Sequence, residues 1–175
     1  MFMQFRSFMS NTNQEIQVSQ FLSKCLLSVA AAVCMVSPAM ADEKVNKAMS
    51  ALKQELAAEG KPRLEGDQLY FGSGKINGDF KIVDKITAKH GGTATLFVKE
   101  GNNYIRRSTN VMKAGQRAVG TPLDPSGPAK AAIDSGKPFY GPVDILGKIF
   151  QTGYEPIVND SGATIGIYYV GYSLE

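Results

Sequence analysis

Two adjacent arginines, Arg106 and Arg107, stand in the run from Tyr104 to Val111 and are the residues best suited to recognising an anion. A guanidinium presents a planar fork of N–H donors that matches the two oxygens of a carboxylate, which a lysine cannot do. Neighbours on a strand point to opposite faces, so one arginine must turn inward or lie along a protein surface. Counting in twos puts Tyr104, Arg106, Ser108 and Asn110 on one side and Ile105, Arg107, Thr109 and Val111 on the other. Arg106 is then either a pocket residue or a charge on an exposed edge strand. Tyr140 and Tyr154 add hydroxyls on aromatic bodies, suited either to a small polar ligand or to ordinary core packing. Arg106, Asn110, Tyr140 and Tyr154 form the candidate ligand-binding set.

Catalytic constellations are missing. The single histidine, His90, cannot build a histidine metal cluster, and no glycine-rich run matches a phosphate loop. Gly72 and Gly74 read as a strand bend. His90 precedes Gly91-Gly92 at an expected helix end, where a cation favours the negative end of the helix dipole. The alternative, a haem ligand, lacks a Cys-x-x-Cys-His attachment. No enzyme activity, metal or cofactor is therefore expected.

The two cysteines, Cys25 and Cys34, fall in an apparent export leader. Arg6 and Lys24 lie on its amino side, an apolar run extends from Cys25 to Val36, and Ala39-Met40-Ala41 supplies the small residues read by a signal peptidase. Cleavage before Asp42 leaves residues 42–175 as one domain, with a core of adequate size and no cysteine chemistry. Translation from Met9 instead of Met1 would leave the same mature product. The rival, a membrane anchor, would need about 20 apolar residues, more than this run contains. Removing Arg6, Lys24 and Glu15 changes the net charge only from +3 to +2, spread along the chain. Nucleic acid, which selects a clustered basic face, is not an expected partner.

The elements that must position the candidate set follow from periodicity. Val45, Ala48, Met49, Leu52 and Leu56 recur at helical spacing between Asp42 and Gly60, where Gly60 and Pro62 stop the helix. Leu69 to Phe71 suggests a short first strand. Phe80, Val83 and Ile86 predict a second helix, entered at Asp79 and closed at His90-Gly91-Gly92. Strands are expected over 93–99 and 104–111, around a hairpin at 100–103, then over 139–144, 149–158 and 163–172. A short helix over 128–135 interrupts them. Five antiparallel strands with helices before and inside the series make an α+β domain.

The phrases GGTATLF, YIRRSTN, AVGTPLDPSGPA, FYGPVDILGK, TGYEPI and GIYYVGYSL, in that order, resemble the Cache sensory domains of bacterial receptors. The likeness is to the single-module Cache 3/Cache 2 fusion group, relatives of PAS domains that lie outside the inner membrane. It implies a PAS-like five-stranded sheet with a long N-terminal helix and short covering helices. It also implies a ligand cavity near Tyr140, Tyr154 and the segment 120–128. Arg at the place of Arg106 fits the family pattern, whereas Arg107 replaces an aliphatic residue. The expected function is a periplasmic, chemotaxis-related sensor of a small organic ligand, with a carboxylate or amino acid favoured. With no receptor parts following Glu175, signalling would pass to a membrane receptor or kinase partner, and a homodimer could form through the opening helix. The competing reading is a periplasmic interaction or assembly protein that keeps the fold with a filled cavity.

Overall fold

The structure, a computed structural model, describes residues 38–175. Apart from its last four residues, the expected leader lies outside them. Helix α1 (Pro38–Glu59) leads the fold and begins four residues before the expected cleavage point. Its stripe of Val45, Ala48, Met49, Leu52 and Leu56 is fully buried, as the spacing requires. Among the described residues no helix is long and apolar enough to cross a membrane.

Strands β1 (Pro62–Glu65), β2 (Gln68–Phe71) and β3 (Gly74–Lys75) form a small meander in place of the single strand expected there. Gly72 holds φ +54°, and a Cβ on it would stand 2.0 Å from the Glu59 carbonyl oxygen. The bend expected at Gly72 is thus a close backbone approach that admits no side chain. Helix α2 (Lys81–His90) ends on Gly91 at φ +75°. Asp79 Oδ1 accepts the Lys81 backbone N–H at 2.9 Å, one position outside the helical cap residue Phe80.

The main sheet comprises β4 (Thr93–Glu100), β5 (Asn103–Thr109), β8 (Phe139–Asp144), β9 (Ile149–Val158) and β10 (Thr164–Ser173). Its order is β5-β4-β10-β9-β8, antiparallel throughout, with β10 at the centre. A small hairpin, β6 (Met112–Lys113) with β7 (Gln116–Arg117), and helix α3 (Pro128–Asp134) lie between β5 and β8. This is the expected α+β architecture.

The sheet divides the core in two. On one face α1, α2 and the meander bury Ala94, Leu96, Val98, Tyr168 and Val170. On the other, α3 and the loops cover Phe97, Tyr104, Tyr154, Ile167 and Tyr169. One register shift decides which β5 side chains share a face. Leu96 pairs with Ser108, yet Phe97 pairs with Arg106, so Arg107 is an extra residue in a β-bulge. Beyond it the alternation inverts, which no count in twos anticipates.

Candidate functional site

Arg106 is buried against the loop-covered face, with its guanidinium carbon 4.9 Å from the Phe97 ring centre. Its Nη1 donates to Thr121 Oγ1 at 2.9 Å and to the Pro122 carbonyl at 3.0 Å, while Nε has no partner. Among the described residues no carboxylate forms an ion pair with it. Burial pulls its pKa down, against the smaller upward pull of Tyr154 and Tyr169. A buried cation without an anion is costly.

Tyr154 lies opposite in the same hollow, fully buried, with a hydroxyl that meets no partner. Its ring packs 4.9 Å from Tyr169 and 6.2 Å from Phe139, centre to centre. Burial pushes the Tyr154 phenol far up, so it stays a neutral donor. Tyr169, pushed up to about 12 chiefly by burial, contacts Thr93 Oγ1 at 3.2 Å.

Arg106 and Tyr154 line a cavity of about 130 Å³ with Pro122, Leu123, Asp124, Val143 and the turn Ile145-Leu146. An apolar cavity of about 150 Å³ holds benzene, so this one has room for about six heavy atoms. At its mouth Asp124 Oδ1 accepts the Ser126 N–H at 2.9 Å, and Asp144 Oδ1 accepts the Gly147 N–H at 2.6 Å. Both carboxylates are exposed and hold turns.

The other two candidates do not line this cavity, although Asn110 lines a neighbouring one with Thr93, Val111 and Phe150. Asn110 follows the bulge and faces the helices: its Oδ1 accepts the Ala94 N–H at 2.8 Å, and its Nδ2 donates to the Val83 carbonyl at 3.2 Å. It fastens the end of β5 to α2. Tyr140 pairs in register with Gly153, so it is Phe139, opposite Tyr154, that shares the cavity face. Tyr140 donates to Glu155 Oε1, while Lys53 on α1 donates to Glu155 Oε2 at 2.6 Å. Burial and Glu155 together push the Tyr140 phenol up. Tyr140 therefore joins the sheet to α1, and the expected placement beside the cavity is corrected.

Arg107 pairs with Glu100, its Nε 2.7 Å from Oε1, and reaches Asp67 at 4.0 Å. It does not fill the cavity. His90 sits in the last turn of α2, with its carbonyl accepting from the Tyr172 hydroxyl at 2.9 Å. Sequence reasoning missed Phe97, Val143, Ile145 and Leu146. Alternation from Tyr154 through its partners would have found Phe97, but the wall contributed by the 145–146 turn carries no local signal.

The family model described as the Cache 3/Cache 2 fusion domain matches residues 9–175, starting inside the expected leader. The crystal structure of the A. aeolicus nlh2 GAF domain in an inactive state is similar at 13% identity and a TM-score of 0.45, covering 77% of this chain and 82% of that one. No curated protein matches the chain.

Proposed function

The chain belongs to the Cache 3/Cache 2 fusion domain family, and on that premise we propose that it is an exported sensory domain holding a small organic acid between Arg106 and Tyr154. Cache domains are typically extracytoplasmic sensory modules and generally not enzymes. The observation that carries the reading is the buried, anion-free guanidinium facing a cavity beside a partnerless hydroxyl. A carboxylate would pair with the guanidinium and accept from the Tyr154 phenol. Asp124 and Asp144 at the mouth add a place for an ammonium, so amino acids fall within the same class.

The test is a thermal-shift screen of the purified protein with carboxylates, amino acids, amines and purines. A ligand at a hundredfold excess over its dissociation constant should add about 2.7 kcal/mol of stability. Hits confined to amines and purines would refute the acid site. The assembly-protein alternative drew in part on Arg107, and the half-buried pairing of Arg107 with Glu100 removes that part of its support.

We place the domain in the periplasm, on the strength of Ala39-Met40-Ala41 behind a short apolar run. Intact mass of the exported protein is expected to begin at Asp42. Recovery of the full leader in a membrane fraction would make it an anchored domain instead. Readout passes to a partner signalling protein, or to a second copy on the outward face of α1, since its apolar stripe is already buried.

A further inference from the structure

Beyond the turn Ile145-Leu146 lies a second cavity of about 360 Å³, lined by Val111, Met112, Ala114 and Phe150 and edged by Lys113 and Lys148. Ile145 and Leu146 line both cavities, so they form the partition between them. At about 130 Å³ the first is smaller than the roughly 300–1,000 Å³ typical of small-molecule sites, whereas the second lies inside that range by itself. The second is mostly apolar, which suits a hydrocarbon, with Thr93, Asn110 and the two lysines as its polar members.

Two details of backbone geometry point to the same place. Ala114 and Leu146 are the non-glycine residues at positive φ among those described, at +49° and +56°, and both line the second cavity. Each is the first loop residue of a two-residue hairpin turn, Ala114-Gly115 between β6 and β7 and Leu146-Gly147 between Ile145 and Lys148, where the turn itself requires positive φ, so these two hairpin ends together edge the second cavity. Phe150 and Tyr154, four residues apart on β9, line the second and first cavities respectively. Their separation of roughly 13 Å along the strand matches an extended acid of about eight to ten carbons.

We propose that the ligand is a monocarboxylic acid whose hydrocarbon chain passes Ile145 and Leu146 into the second cavity. The proposal rests on the reading of the Arg106 cavity as an acid site. The carboxylate sits on Arg106, the first carbons lie beside Tyr154 and Val143, and the tail ends against Phe150, Val111 and Met112. Among acids that share this head group, chain length then sets affinity.

The test is titration calorimetry of the purified protein with acetate, butyrate, hexanoate and octanoate, with octanol as the control lacking the anion. Each buried methylene is worth a factor of about four in affinity, so octanoate should bind at least about tenfold more tightly than butyrate. Octanol should be weaker than octanoate by about tenfold or more. Met112→Glu, at an exposed residue of the tail cavity, should weaken octanoate by about tenfold and leave acetate within about twofold. Affinity that peaks at acetate or butyrate overturns the tail proposal and leaves the Arg106 site standing. Equal binding of octanol and octanoate, or loss of acetate and octanoate alike in Met112→Glu, also overturns it. If no acid of any length binds, the Arg106 reading fails and the tail proposal with it.

Discussion

Arg106→Lys is expected to weaken acid binding by roughly tenfold to a hundredfold while keeping the positive charge. The guanidinium sits on the Phe97 ring with Nη1 committed to Thr121 and Pro122, so its remaining N–H groups are the ones available to a carboxylate. Lysine cannot hold the loop and present a fork at once. Loss of one charge-assisted contact costs about 1.5–3 kcal/mol, which gives the stated range. Arg107→Lys should leave affinity within about twofold, since that side chain is turned to Glu100.

A companion variant separates binding from architecture. Arg106→Met removes a buried cation that has no anion, and gives up two hydrogen bonds whose acceptors belong to partly exposed residues and can turn to water. The ligand-free variant should melt at or above the wild-type temperature, yet fail to respond to any acid. A fall of several degrees without ligand would make Arg106 a structural tie for the 121–124 loop. Calorimetry and thermal melts on wild type, Arg106→Lys and Arg106→Met decide between the two roles.

The fold was far more legible than the site. β8 and β9 occupy the expected spans 139–144 and 149–158 because turn residues bound them on both sides. The buried stripe of α1 follows directly from its 3.6-residue spacing. The site depends instead on parity, and parity fails silently. A bulge at Arg107 involves no glycine and leaves no mark in the sequence, so Asn110 was assigned to the wrong face. For Tyr140 a mark existed: Gly153, its register partner, has room for no Cβ, which would stand 2.7 Å from the Tyr140 ring and 2.8 Å from Val45. A glycine in mid-strand signals close approach by a neighbour, and here that neighbour is the tyrosine that fastens α1. Arg106 and Tyr154 escaped both problems, Arg106 because it precedes the bulge and Tyr154 because it packs on Tyr169 of the central strand.

Leu52→Ala is expected to cost about 2–5 kcal/mol of folding stability without changing ligand affinity. Leu52 is fully buried, in one cluster with Met49, Leu56, Val83, Leu96 and Tyr168, so truncation leaves a void walled by two helices and the sheet. Rigid strands on one side and helix α2 on the other limit how far that void can collapse, which places the cost above simple transfer. For a domain of this size the loss should lower the melting temperature by roughly 5–20 °C. Lys47→Ala, on the exposed side of the same helix, should stay within about 0.5 kcal/mol. Denaturant melts of both variants measure this, and a Leu52→Ala change below about 1 kcal/mol would mean that α1 is a detached arm or a dimer element in solution. The affinity arm tests the two-faced core itself. Leu52 and Arg106 belong to clusters on opposite faces of one sheet, and sites that share no partners behave additively. An unchanged dissociation constant in Leu52→Ala would show that the helix layer supports the sheet without shaping the cavity. A weakened one would show that packing against α1 holds β9 and β10, and with them Tyr154 and Tyr169, in the binding geometry.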